Sequence, residues 1–267
     1  MIILIIFLTL ILGVIIWGGV TQWRFVSKKK EDFKSDIKVA MLIITLNKKW
    51  INDFSNDKRY LNERDIWEKY ADKNENVDCY FLECDKKEYY ETLKNTCNES
   101  HEPGIYQKTI LSLKNLEKDY DFYIRTNTRM FFIFDNLLKQ LKSLKRDKPY
   151  LYGEYCAKGI GHDLTLPQYI NWAPGWLFVL NKKTKDLIVK KGFDKKYYSA
   201  KIPDDVLLGQ VLTDNGVKCD KDSTVDFNAW WDSNKSFEEN VKNIDNSGKS
   251  LIYLDYNTKL DLRKKLV

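Results

Sequence analysis

Two adjacent carboxylates, Asp204 and Asp205, follow Pro203 and open an apolar stretch that closes at Gly216. A carboxylate so placed can act as a general base, taking the proton of a hydroxyl as it attacks. The same pair also reads as plain helix chemistry, because Pro at the opening and acids in the first turn suit a helix N-terminus and its dipole. A second candidate is the run from Tyr120 to Thr128, where an apolar strand passes into Arg125, Thr126, Asn127 and Thr128. In open α/β sheets the ligand crevice lies beyond the carboxyl ends of the strands. Asn127 is equally well explained as a turn former. The third candidate is 171–176, in which Gly175 stands between Pro174 and Trp176. Glycine permits close backbone approach and the indole offers a face to a sugar, whereas a tight turn over a buried Trp is the alternative. Neither His101 nor His162 joins a nucleophile triad, and no phosphate-binding loop of the Walker type is present.

Strand-like and helix-like segments alternate along the chain, the signature of an α/β domain. Apolar runs predict strands at 39–45, 77–82, 120–125, 150–155, 176–180 and 250–254. Helical spacing predicts helices at 59–70, from Pro103 to about Leu116, at 135–142, in a Lys-rich stretch after Leu180 and at 203–215, with a basic helix closing the chain. Each candidate site therefore falls at the end of a strand or the start of a helix.

From Ile2 to Val20 no residue is charged, and Trp17 and Trp23 fall near the headgroup boundary expected of a membrane span. About 20 apolar residues cross a bilayer core of roughly 30 Å. Residues 1–22 are thus expected to be a single transmembrane anchor, 23–36 a polar stalk and 37–267 one domain. The basic n-region and small-residue cleavage site of a secretory signal are missing. Arg24, Lys28, Lys29 and Lys30 follow the apolar run, which favours a cytoplasmic domain by charge bias. The sequon Asn98-Glu99-Ser100 points to the other side.

A net charge of +6, without a basic tract interleaved with aromatics, argues against nucleic acid as a partner. The 8 Trp and 16 Tyr suit either a sugar-binding cleft or an ordinary core. The 5 cysteines, Cys79, Cys84, Cys97, Cys156 and Cys219, show no CxxC pair and no zinc spacing. Cys79 and Cys84 are near enough along the chain to pair in an oxidising compartment; free thiols are the other reading.

Taken in order, these motifs resemble the Fringe-like and β-1,3-glycosyltransferase group. Arg64-Asp-Ile-Trp67 is similar to its Arg-x-x-Trp helix, Lys108-Thr109 to its Lys-Thr helix, and Asp121 to Thr128 to the strand ending in its DxD motif. Ala173 to Leu180 is similar to its glycine-containing acceptor strand, and Asp204-Asp205-Val206 with Gly209 to its acidic Asp-Val motif. The resemblance implies an α/β fold of GT-A type, a single domain whose mixed, mostly parallel central sheet is flanked by helices. It implies an inverting transfer from a nucleotide-sugar donor, UDP-sugar favoured, to a glycan or glycoprotein acceptor, and a domain in the Golgi lumen. Asp205 would be the base and Asp204 its support. Arg125, Asn127, Thr128 and Lys158 would face the donor, and Gly175 and Trp176 would shape the sugar pocket. The group holds Mn2+ (Mg2+ is the other candidate) with acids where this chain has Thr126, Asn127 and Thr128, of which Asn127 offers one carbonyl oxygen. That departure gives the alternative: a catalytically silent, membrane-anchored domain that binds glycans or a protein.

Overall fold

Five strands form the central sheet, in the order β2-β1-β5-β10-β7. They are β1 (Val39–Ile44), β2 (Val77–Leu82), β5 (Phe122–Asn127), β7 (Leu151–Tyr152) and β10 (Leu177–Asn181). β1 pairs in parallel with β2 and β5, whereas β10 is antiparallel to both β5 and β7. Four strands thus run one way and β10 runs the other, giving a mixed sheet flanked by helices. The computed structural model describes residues 36–45, 67, 74–84, 90–92, 95–97, 100, 102–160, 169–219, 223–229 and 235–253. The expected membrane anchor, nearly all of the stalk and the closing helix lie outside them, as do Arg64, His101, His162, Asn98 and Glu99. Of the expected 59–70 helix only Trp67 is described, and it is helical and buried. Among the described residues no helix is long and apolar enough to cross a membrane.

The inner strands need apolar residues on both faces, which is why β1 (VAMLII) and β10 (LFVLN) read as continuous runs. Among the described residues the helices with defined bounds are α1 (Gly104–Asn115), α2 (Phe134–Lys142), α3 (Lys182–Lys191), α4 (Lys195–Tyr198), α5 (Asp204–Asp214) and α6 (Phe237–Ser247). Of these, α1, α3 and α5 pack on one another over the face that carries Ala40, Leu42, Tyr123, Phe178 and Leu180. α2 buries Phe134, Leu137, Leu138 and Leu141, a stripe at helical spacing. The expected strand at 150–155 is shorter, and Gly153 continues it only through a bridge to Thr224.

Several elements carried too few residues to signal themselves. They include the hairpins β3 (Tyr90–Thr92) with β4 (Asn95–Cys97) and β8 (Ala157–Ile160) with β9 (Tyr169–Trp172). β6 (Met130–Phe132), β11 (Asn228–Ala229) and β12 (Leu251–Tyr253) form a separate sheet. The Cys79–Cys84 pairing does not form. Cys79 lies within β2, and residues five apart on extended chain are roughly 16 Å apart, beyond the reach of a disulfide. Cys84 instead bonds Cys97 and Cys156 bonds Cys219, each with Cα atoms 5.6 Å apart.

Candidate functional site

The alternation of side chains along β5 decides what its tip can reach. Arg125 is paired with Leu42 and Phe178 on the neighbouring strands, so it faces the helix-covered side of the sheet. There its guanidinium lies 5.1 Å from the centre of the Phe178 ring and forms an ion pair with Asp204. Both partners are buried, at 4% and 8% exposure. The Nε of Arg125 is buried without a hydrogen-bond partner, an exception of the kind that warrants a functional explanation.

α5 brings the acids to this point. The helix starts after Pro203, with Asp204 and Asp205 in its first turn. Its middle is pressed against β9 at Gly209, where an added Cβ would come within 2.6 Å of the Trp172 Cβ and 2.7 Å of the Asn171 carbonyl oxygen. β9 then runs through Ala173 and Pro174 to Gly175, so one close contact fixes the helix start relative to the 173–176 turn. Asp205 is half-buried, and its Oδ1 accepts the Val206 N–H at 2.9 Å. Its Oδ2 faces Gly175: a Cβ built there would stand 3.3 Å from Asp205 Oδ2 and 3.3 Å from an Arg125 terminal nitrogen. Side chains from two separate motifs thus meet over the glycine of a third, which leaves the space between them open.

Trp176 follows Gly175 directly in the chain. Its carbonyl accepts the Thr126 hydroxyl at 2.9 Å, and its indole N–H donates to Glu154 Oε2 at 2.9 Å. The Tyr155 ring meets the indole edge-on, with centroids 5.8 Å apart. Burial first, then the charges of Glu154 and Asp205, push the Tyr155 phenol above its ordinary range. Sequence reasoning treated 150–155 as a strand and missed Glu154 and Tyr155. A charged and an aromatic residue just past an apolar strand end were the available signal.

The remaining expected residues lie around the β5 tip or farther along the chain. Asn127 ends β5, and its side-chain oxygen accepts the Arg129 N–H at 2.9 Å, closing a local turn. Thr128 is buried, and its carbonyl accepts the Trp67 indole N–H at 3.2 Å. The equally buried Lys108 donates to the Thr45 carbonyl at 3.1 Å, beside the carboxyl end of β1. Lys158 lies in β8, its backbone opposite Asn171. A divalent ion would need carboxylates at the β5 tip. Asn127 offers a single oxygen that is already accepting a hydrogen bond, Asp204 is committed to Arg125, and no group of three acidic, His or Cys side chains gathers among the described residues. These donors do not fit Mn2+ or Mg2+.

A cavity of about 330 Å³ between β2 and α1, lined by Leu42, Tyr80, Leu82, Ser112, Leu116 and Lys118 among others, contains none of the residues around Gly175. Compared with known proteins, the chain matches no family model and no curated protein.

Proposed function

We propose that this chain is a membrane-anchored glycosyltransferase of GT-A type, which moves a sugar from a nucleotide-sugar donor to a hydroxyl of an acceptor glycan or glycoprotein. One observation carries the reading: Asp205 Oδ2 and the Arg125 guanidinium flank the same point above Gly175, at the carboxyl end of a central strand. That is where an open α/β sheet places its ligand.

In this reaction the acceptor oxygen attacks the anomeric carbon while the bond from that carbon to the diphosphate oxygen breaks. The acceptor proton passes to Asp205 Oδ2, and the departing nucleoside diphosphate keeps the bonding electron pair. The attack comes from the face opposite the leaving group and inverts the centre. Asp204 and Arg125 hold each other at the mouth of α5 and keep Asp205 aimed at Gly175. Positive charge for the diphosphate comes from Arg129, exposed at the β5 turn.

The test is nucleotide release by the full-length protein in detergent, over UDP- and GDP-sugars, with Mn2+ and with chelator. Asp205→Asn should lower turnover about 10²- to 10⁴-fold, the range of a general base. Undiminished turnover in that variant would remove Asp205 from the role. A wild-type chain that binds none of these donors by calorimetry would favour the silent-domain alternative, to which the missing acids at Thr126, Asn127 and Thr128 lend support.

A further inference from the structure

The mechanism leaves Tyr155 and Glu154 unused, although both contact Trp176, the neighbour of Gly175. Tyr155 is 43% exposed, and among the described residues it is the one large hydrophobic side chain so open to solvent. Its ring and the Trp176 indole meet at 65°, forming a corner with one flat wall and one edge. The corner is fixed from several directions. Glu154 holds the indole N–H, Thr126 holds the Trp176 carbonyl, and Cys156 ties the next position to Cys219 beyond α5. Tyr and Trp offer wide contact area with few torsions to freeze, so a corner of this kind is ready before a ligand arrives.

We propose that Tyr155 and Trp176 form the floor of an acceptor subsite for a neutral pyranose ring, which presents one of its hydroxyls to Asp205. The inference rests on the transfer reading above and specifies its acceptor. Ring C–H groups lie against the aromatic faces, and the hydroxyls, as donors, meet the carboxylates of Glu154 and Asp205. Those two negative charges disfavour an anionic sugar at the same place. A surface aromatic pair that only braced its loop would influence melting temperature and leave saccharide binding alone.

The experiment uses the full chain in a sugar-free zwitterionic detergent, with ligand-observed NMR titration of methyl β-D-glucopyranoside, methyl β-D-galactopyranoside and galacturonic acid. Saturable binding of a neutral glycoside is expected, roughly tenfold weaker in Tyr155→Ala and retained in Tyr155→Phe, since stacking uses the ring and not the hydroxyl. Galacturonate should bind more weakly than the galactoside. Equal glycoside binding by wild type and Tyr155→Ala, absence of binding to either neutral glycoside, or equal affinity for galacturonate would each overturn the proposal. UDP-sugar binding measured in parallel separates the two readings. Loss of glycoside binding in Tyr155→Ala with donor binding intact supports the subsite. Tyr155-dependent glycoside binding by a chain that takes no donor would sink the transfer reading and leave the platform standing.

Discussion

Arg125 carries a permanent charge at a buried strand end, which is tolerable only with a carboxylate in contact. Removing one partner leaves the other charge stranded. Asp204→Ala should therefore cost about 3–5 kcal/mol in urea unfolding, and the double variant Arg125→Met with Asp204→Leu should recover most of it, as apolar replacement of a buried pair often does. Full stability in the single variant would show that the pair is not desolvated in solution. Gly175 makes a different demand. Its added methyl would lie 3.3 Å from both Arg125 and Asp205, close enough to displace flexible side-chain ends without unfolding the turn. Gly175→Ala is expected to lower turnover at least tenfold with a nearly unchanged melting temperature, because a small misplacement of a reacting group costs rate before it costs stability. Loss of folding and activity together would indicate a purely structural glycine.

The elements matter because they carry these residues to one place. α5 is buried along most of its length, and Gly209 lets it approach β9 more closely than any other residue would. Gly209→Ala should destabilise by about 1–3 kcal/mol through overpacking and should also impair turnover, since the helix start must shift with its middle. The far end of α5 is held by Asp214, which accepts hydrogen bonds from Tyr197, Lys196 and Gln210. Burial opposes ionisation there, but these donors outweigh it and hold the carboxyl below its ordinary 3.8. A lowered folded-state value contributes stability that is complete above the unfolded value and vanishes as pH falls through the folded one. Asp214→Asn should thus cost on the order of 1 kcal/mol at neutral pH and nothing at strongly acidic pH. Chemical denaturation at several pH values measures this, and a pH-independent difference would contradict it.

At the scale of the molecule, two disulfides join segments that no spacing rule connects. Cys156–Cys219 closes 63 positions around β8, β9, β10 and α3–α5, which in the chain-entropy account is worth about 4 kcal/mol. Cys84–Cys97 closes 13 and is worth about 3 kcal/mol. Disulfides are rare where thiols are kept reduced, so for the proposed enzyme we infer a domain facing an oxidising compartment, opposite to the side suggested by Arg24 and the lysines after it. Reductant should lower the melting temperature and loosen the Tyr155–Trp176 corner; an unchanged melting curve with both bonds open would contradict these contributions to stability.

The sequence by itself determined the main strands and helices. Runs such as VAMLII in β1 and the LFVL of β10 are apolar throughout, and Pro203 with two acids marks a helix start through local backbone and dipole physics. It also singled out Arg125, Gly175, Trp176, Asp204 and Asp205. It could not reveal that Arg125, rather than Asn127, meets the α5 acids, nor that Cys84 takes Cys97. Those outcomes depend on which face of a strand a residue occupies and on which segments the packed sheet makes neighbours. Such contacts span tens of residues, and only tertiary structure brings their ends together.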